Sequence, residues 1–313
     1  MKNFKIYILA ACSMLFITCK ENSVTEDQLS AENQKLELRS KDARLMSLGA
    51  EPRALANLNG RHVVLYKAEY LSSGEGEEIG REVYFNNRGN KQLSDDFVPG
   101  LSLDGSNNIS YYVDNKRACA DLPASTTENA IDRAMATWNG VDCSSLGMTK
   151  IPFNSTVSTG FVAALLGYPG SLNYTADLVH AGWLPGAFFD QLAPGGSNFI
   201  LGVTFTIIFT DELGNPVDTD NNNKADVAFR EIYYNDAFTW RDGGTYDVET
   251  VALHESGHGL SQAHFGSAFR SANNKLHFSP RAVMNAAYSG TQTKIEKTDL
   301  GGHCSNWASW PNR

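Results

Sequence analysis

The 313-residue sequence predicts an α+β fold, and three observations carry that expectation. Short runs of β-branched and aromatic residues recur at 62–66, 81–85, 109–113, 200–210 and 226–234, the pattern of strands. Two longer stretches, 127–139 and 247–260, instead space their apolar residues as a helix does. Hydrophobic residues make up 42% of the chain and charged residues 19%, so a sizeable core is possible and wholesale disorder is excluded.

The opening MKNFKIYILAACSMLFITC has a basic start (Lys2, Lys5), an apolar run from Ile6 to Thr18 and a polar continuation, the plan of an export signal. A helix over that run reaches only about 20 Å against a hydrocarbon core of about 30 Å, so residues 1–18 are expected to be a signal and not a membrane span. Phe16-Ile17-Thr18-Cys19 resembles a bacterial lipobox, which makes Cys19 the lipidated first residue. Leu9-Ala10-Ala11-Cys12 fits the letters better but leaves too short an apolar run. Lys20-Glu21 resembles the export tag of bacterial surface lipoproteins. The expected location is the cell envelope, as an outer-membrane or cell-surface lipoprotein, or secretion, with membrane contact only through a lipid anchor. Cys119, Cys143 and Cys304 then remain, and outside the cytoplasm one disulfide and one leftover thiol are expected. Three pairings are open. Cys119 with Cys143 would clip a helix at both ends and is slightly preferred, while Cys143 with Cys304 would tie the end of the chain to its middle.

Residues 19–55 read as a tether, polar and mixed in charge, and 20–50 contain no Trp, Tyr or Phe. Residues 56–107 read as a small β-containing pro-segment: the runs 62–66 and 81–85 flank a turn at Ser72-Ser73-Gly74-Glu75-Gly76, and the segment ends near Asp104-Gly105-Ser106. Residues 108–313 form the main domain. Its first strand is 109–113. The helix of 127–139 places Ala130, Ile131, Ala134, Met135 and Trp138 on one face. Ala176 to His180 is expected to be helical. The run 200–210 is apolar on both faces and therefore central, whereas 226–234 is mixed and nearer an edge. Trp307 and Trp310 are expected to pack a C-terminal helix onto the core.

Lys plus Arg total 26 against 35 for Asp plus Glu, a net charge of −9. Residues 1–18 carry two lysines and no acid, so the remainder stands at 24 − 35 = −11. Nucleic-acid binding needs cationic surface to neutralise phosphates, and no basic cluster supplies it here.

The chemistry is concentrated in Asp247-Val248-Glu249-Thr250-Val251-Ala252-Leu253-His254-Glu255-Ser256-Gly257-His258. Asp247 is a candidate N-cap, and Val248, Val251, Ala252 and Leu253 supply a buried face. His254 and His258, four apart, present both imidazoles on one side of a helix, as two ligands of one Zn²⁺ require. Glu255 is rotated by about 100° from His254 and suits a general base acting on metal-activated water. His264 returns as the third ligand if the helix ends near Leu260, and three neutral imidazoles leave a fourth position open, the mark of a catalytic zinc. His-Glu-x-x-His is expected by chance only about 0.008 times in a chain of this composition.

With these residues the sequence resembles the metzincin zinc endopeptidases, whose motif is His-Glu-x-x-His-x-x-Gly-x-x-His followed by a methionine turn. His254, Glu255, His258 and His264 match by position, and Met284 in Arg281-Ala282-Val283-Met284-Asn285 would be the turn. Gly257, the helix of 130–138 and Tyr288 look more like matrixins than other members. The resemblance covers 108–313 and implies a twisted mixed sheet with two long helices, a small C-terminal subdomain and a cleft between. It implies that a strand before the active-site helix, here Asp226–Tyr234, pairs with an extended substrate, and that zinc polarises the scissile carbonyl while Glu255 moves the proton. Met284 would floor the zinc site. Two departures stand out: Ser261 occupies the family's glycine, a position usually requiring positive φ, and Phe265 follows the third His where matrixins commonly have Ser or Thr.

Asp218, Asp220, Asn222 and Asp226 space oxygen donors as in a calcium loop, so Ca²⁺ joins Zn²⁺ as an expected cofactor. Residues 20–107 could cover the cleft; Arg117-Ala118-Cys119 faintly resembles a cysteine latch, but a disulfide role for Cys119 is the stronger expectation. His62, His180, His277 and His303 lack ligand spacing and are expected to be solvated or ordinarily hydrogen-bonded. The sum is an exported, monomeric zinc endopeptidase acting on protein or peptide substrates and on no nucleic acid. The rival is a lipoprotein that binds peptide or glycan and uses its metal only for stability.

Overall fold

The computed structural model describes residues 34–35, 56–75, 82–84, 94–273 and 275–312. The export signal with Cys19, and all but two residues of the expected tether, lie outside them. In chain order the strands are β1 (Gln34–Lys35), β2 (Ala56–Leu58), β3 (Arg61–Ser72), β4 (Glu82–Tyr84), β5 (Asp95–Asp96), β6 (Ile109–Val113), β7 (Met148–Ile151), β8 (Leu178–Leu184), β9 (Ile200–Thr210), β10 (Ala225–Asn235), β11 (Ser267–Arg270) and β12 (Leu276–Ser279). The helices are α1 (Ala124–Asn139), α2 (Phe161–Leu165), α3 (Gly186–Asp190), α4 (Val248–Gly259) and α5 (Lys297–Trp307).

Among the described residues, one nine-stranded sheet runs β2-β3-β9-β10-β8-β6-β7, with β4 added to β3 and β5 to β10. The sheet is mixed: β10, β8, β6 and β7 are parallel, and β9 is antiparallel to both β10 and β3. Strand alternation sorts its side chains into two layers. Tyr111, Val113, Ile232 and Tyr234 face the layer holding α1 and α4, while Tyr112 and Tyr233 face the layer holding α2 and α3. The α+β expectation holds, with few helices set against one large sheet.

Helix α1 begins at Ala124, earlier than expected, and buries Ala130, Ile131, Ala134, Met135 and Trp138 as its spacing requires. The Trp138 indole N–H donates to the Leu253 carbonyl at 2.8 Å, fixing α1 against α4. At the other end of the chain Trp307 and Trp310 meet at 4.9 Å, and their indole N–H groups donate to Leu260 and Asn107.

Several expectations are overturned. The stretch 176–180 is not helical. Leu178 begins β8, a strand buried along its whole length between β6 and β10, and Asp177 just before it accepts the Ser110 N–H and hydroxyl at 2.8 Å each. Sheet pairing on both sides there overrides a local pattern that five residues are too few to define. Strand 225–235 is not near an edge either; it is paired along β9 and β8 and fully buried. Its charged residues misled because Arg230 and Glu231 are buried with partners instead of facing solvent. The disulfide joins Cys143 to Cys304, with Cα atoms 5.8 Å apart, and Cys119 is a buried free thiol. Packing decides this: the Ser144 hydroxyl donates to the Trp307 carbonyl at 2.9 Å, so α5 lies alongside the chain that leaves α1. Apart from these corrections, strands of 56–107 and of 108–313 share one sheet. β3 pairs with β9 from His62 to Ser72, and β5 pairs with β10.

Candidate metal centre

Helix α4 starts where the sequence places a cap. The Asp247 carboxylate accepts the Thr250 N–H at 2.8 Å and its hydroxyl at 2.6 Å. Every residue of α4 except Glu249 is buried, so this helix runs through the interior. Its two glycines, which cost helix stability, are explained by close approach. A Cβ at Gly257 would lie 2.2 Å from the Met284 sulfur, and one at Gly259 would lie 2.7 Å from Leu178 Cδ1.

Past α4 the chain reverses. Ser261 sits at φ 63°, the left-handed geometry expected of that position. A serine there costs about 1 kcal/mol, and its surroundings offset the strain. Its hydroxyl accepts from Arg230 Nη2 at 2.9 Å and its carbonyl accepts from Asn306 at 3.0 Å. Arg230, wholly buried, also donates to the Gly259 carbonyl at 2.7 Å and to Asp95 at 2.5 Å. This guanidinium locks the reversal that returns His264 toward the helix.

The three histidines meet. His264 Nε2 lies 3.3 Å from His254 Nε2 and 3.0 Å from His258 Nε2. Behind them, His254 Nδ1 is 2.7 Å from the Val283 carbonyl and His258 Nδ1 is 2.7 Å from the Gln262 carbonyl. Carbonyls only accept, so both Nδ1 atoms carry the protons and both Nε2 atoms present lone pairs to the common centre. Three converging imidazole nitrogens cannot satisfy one another by hydrogen bonds, because too few protons are left among them. A cation supplies what is missing, so the donor set fits a metal ion. Burial, reinforced by the neighbouring imidazoles, pushes His254 and His264 well below the ordinary histidine range and keeps them neutral, the form that ligates.

Glu255 projects from the same helix. Its Oε2 accepts the Thr204 hydroxyl at 2.7 Å and its Oε1 accepts the Leu71 N–H at 3.2 Å. Burial pushes its carboxyl up to about 8, against the pull of those two bonds. Met284 is buried beneath α4 against Gly257. Its turn is held by Asp299, whose carboxylate accepts the Val283 and Met284 N–H groups at 3.0 and 3.1 Å. Since Val283 is the residue that accepts from His254, Asp299 orients that ligand at one remove.

Residues that sequence reasoning passed over are therefore Arg230, Asp299 and Thr204. Arg230 carried a signal, the one cation of a strand-like run, and Asp299 carried another, the Glu296-x-x-Asp299 capping box of α5. Thr204 carried none.

Around the centre lies a buried ionic cluster. Lys67 Nζ is 3.0 Å from Glu69 and 2.8 Å from Asp95, and Glu69 lies 3.4 Å from His258 Nδ1. Burial alone would raise Asp95, but Lys67 and Arg230 hold it below the usual carboxylate range. On the β9–β10 turn, the carboxylates of Asp218, Asp220 and Asp226 gather within 4.8 Å. Asn222 does not add its oxygen, which accepts the Lys224 N–H at 2.9 Å while its amide nitrogen faces Asp220 and Asp96. Asp226 Oδ1 is buried and accepts no hydrogen bond. Among the remaining histidines, His180 and His303 are buried and not solvated. Cys119 accepts the Asp121 N–H at 3.3 Å within the core, and burial pushes its thiol up.

No protein-family model matches the chain, and no curated protein matches it.

Proposed function

We propose that the chain is a zinc-dependent endopeptidase of the metzincin type, exported or surface-anchored and monomeric. The observation that carries this reading is the convergence of three imidazole nitrogens beside a carboxylate buried on the same helix as two of them, with Met284 packed beneath. His254, His258 and His264 would hold zinc, for which three nitrogens and an open fourth position are the catalytic arrangement. When bound, the ion would supply Lewis acidity toward a peptide carbonyl and toward water.

The chain's own residues do the rest. Glu255 accepts the proton of the attacking water and returns it to the nitrogen of the departing amine. Its Oε1 already meets a backbone N–H, that of Leu71 at 3.2 Å, so the carboxylate faces the part of a peptide that must be protonated. Thr204 fixes the second oxygen and prevents rotation away from the site. Strand β9 lies over α4, where a Cβ at Gly202 would stand 3.0 Å from Glu255 Cγ, and both its edges are paired, with β3 and with β10.

Metal analysis should give one zinc per chain. Casein hydrolysis should stop on chelation and in Glu255→Ala, whose zinc content should be unchanged. Stoichiometric zinc with no hydrolysis under any condition would favour the rival, a binding lipoprotein that its metal only stabilises. Full hydrolysis by Glu255→Ala would remove Glu255 as the base.

A further inference from the structure

We propose that the cavity beside His264 is a binding pocket for a primary-amide side chain, that of a glutamine in a peptide, with Gln262 as the residue that reads it. Calling the occupant part of a substrate rests on the protease reading; recognition of the amide does not.

The cavity holds about 130 Å³, several times the roughly 30 Å³ that one water takes up. It lies between the chain that leaves α4 and helix α5, so the third metal ligand forms part of its wall. The recess bordering the first ligand, His254, is separate and far smaller, about 20 Å³.

Gln262 is buried in the wall of the larger cavity, yet its Nε2 donates to no acceptor among the described residues. Its main-chain carbonyl faces His258 Nδ1 at 2.7 Å, so the backbone is fixed while the side-chain donor is left open. A buried donor without an acceptor is costly, and an occupant of the cavity would remove that cost. Helix α5 makes room for the amide. It carries glycine at 302, where glycine weakens a helix, and a Cβ there would stand 2.9 Å from Gln262 Oε1. Phe265 forms part of the rim. Its N–H donates to the Met284 carbonyl at 2.7 Å and its carbonyl accepts from Asn285 at 2.8 Å, which pins the loop on both sides. The ring is nevertheless 46% exposed. A fixed aromatic ring left in water at the mouth of a cavity is placed to cover the apolar stem of a ligand.

The lining selects the ligand. Ala263, Phe265 and Met284 suit methylene groups, and Gln262 Nε2 calls for a terminal acceptor. Asp299 decides which acceptor. Its carboxylate also borders the cavity, where it accepts the N–H groups of Val283, Met284 and Glu296. A second carboxylate would be desolvated beside it with one neutral donor as partner. An ammonium group has no acceptor to offer and would meet the Gln262 N–H. A neutral amide carbonyl accepts from Nε2 without either conflict. A purely aliphatic side chain would leave Nε2 unpaired, the mismatch that gives strong discrimination.

The test reads binding in the ¹⁵N-labelled full chain through the side-chain amide signals of Gln262. The probes are the N-acetyl, N-methylamide derivatives of glutamine, glutamate and leucine. The glutamine probe should shift those signals saturably and bind at least tenfold more tightly than the other two. Gln262→Leu keeps the carbonyl that His258 uses, so its zinc content should be unchanged. Followed through the Ala263 amide, it should reverse the order of the glutamine and leucine probes. Phe265→Ala alters an exposed ring and should weaken the glutamine probe at least threefold, which keeps the test decisive if Gln262→Leu fails to fold. Equal binding of all three probes, or no shift at Gln262, would make the cavity a water-filled hollow and overturn the proposal. Casein cut sites mapped by mass spectrometry test the substrate role. Glutamine should be enriched at least fivefold at one fixed distance from the cut bond, and the enrichment should vanish in Gln262→Leu. Hydrolysis without enrichment would overturn the pocket as a substrate subsite and leave the protease reading intact. Selective binding of the glutamine probe with no hydrolysis by any form would end the protease reading and leave the amide pocket standing.

Discussion

Two sets of histidines lie within this protein, and they differ in a way that separates a ligand from a core residue. His180 and His303 are buried, and burial pushes them down to about 3 and about 4. His254 and His264 are depressed for the same first reason. A neutral imidazole is therefore not what distinguishes the metal centre. Orientation is. His254 and His258 turn Nδ1 to main-chain carbonyls and bring Nε2 to a common point with His264. His180 instead has Nδ1 2.8 Å from the Tyr234 hydroxyl, and His303 stacks on Trp138 with centroids 5.6 Å apart. A second nitrogen directed at other donors makes a site; the same ring facing an aromatic wall is packing.

The sharpest way to break that comparison is to remove one ring from each set. His258→Ala should lower zinc affinity at least 100-fold, about 2.7 kcal/mol, measured by competition with a chelator. His303→Phe should leave zinc affinity within threefold of wild type, because its Nδ1 is buried without a hydrogen-bond partner and phenylalanine preserves the stack. An equal loss in both variants would mean that burial, not orientation, governs the centre.

Acid titration sharpens the other half. His180 and His303 have folded pKa values below the ordinary 6.5, so the unfolded chain binds their protons first as pH falls. Their contribution to stability is complete above pH 6.5, declines as pH falls from 6.5 to about 4 for His303 and to about 3 for His180, and changes no further below. Each group adds up to about 1.4 kcal/mol per pH unit within its window. Denaturant unfolding followed from pH 7 to 4 should show a slope shallower by up to one proton in His303→Phe. An unchanged slope would place His303 in contact with water in the folded state.

How much of this was legible in the sequence follows from the range of the interactions. The helix from Asp247, its cap and the imidazole spacing are local, within a dozen residues, and each appears where its pattern places it. Ser261 was legible as a position needing positive φ, though not the Arg230 and Asn306 bonds that make a serine tolerable there, since those partners are 31 residues before it and 45 after. The same limit explains β10. Charge on a strand reads as exposure, and only the fold shows that Arg230 and Glu231 point into polar pockets built by distant segments. The pairing of Cys143 with Cys304 spans 161 residues and has no local signature at all. Nor does any pattern within 61–72 indicate that this strand lies against β9 and Glu255; its alternation is the same whichever strand it joins.

The smallest effect concerns the carboxylates on the β9–β10 turn, which contrast with the histidines in being partly open to water. Asp218, Asp220 and Asp226 are held by local bonds, such as the Asn222 N–H to Asp218 at 3.1 Å and the Thr219 N–H to Asp226 at 3.0 Å. A distant element meets this turn too, since Asn222 donates to Asp96 at 3.0 Å and Asp226 pairs with Asp96 on β5. Three acidic oxygens so close repel unless a cation or a proton intervenes; burial, then the charges of Asp220 and Asp218, push Asp226 up. Weak calcium binding would relieve that repulsion. For a site in the 0.1–1 mM range, 1 mM calcium stabilises by about 0.4–1.4 kcal/mol, a Tm rise on the order of 1–5 °C. Calorimetry of the zinc-loaded protein should show that rise in wild type and its loss in Asp220→Asn, whose exposed side chain can be changed without disturbing the core. If wild type and Asp220→Asn respond alike, the turn is a solvated cluster of acids, and the contrast with the histidines becomes complete: converging carboxylates do without the ion that converging imidazole nitrogens need.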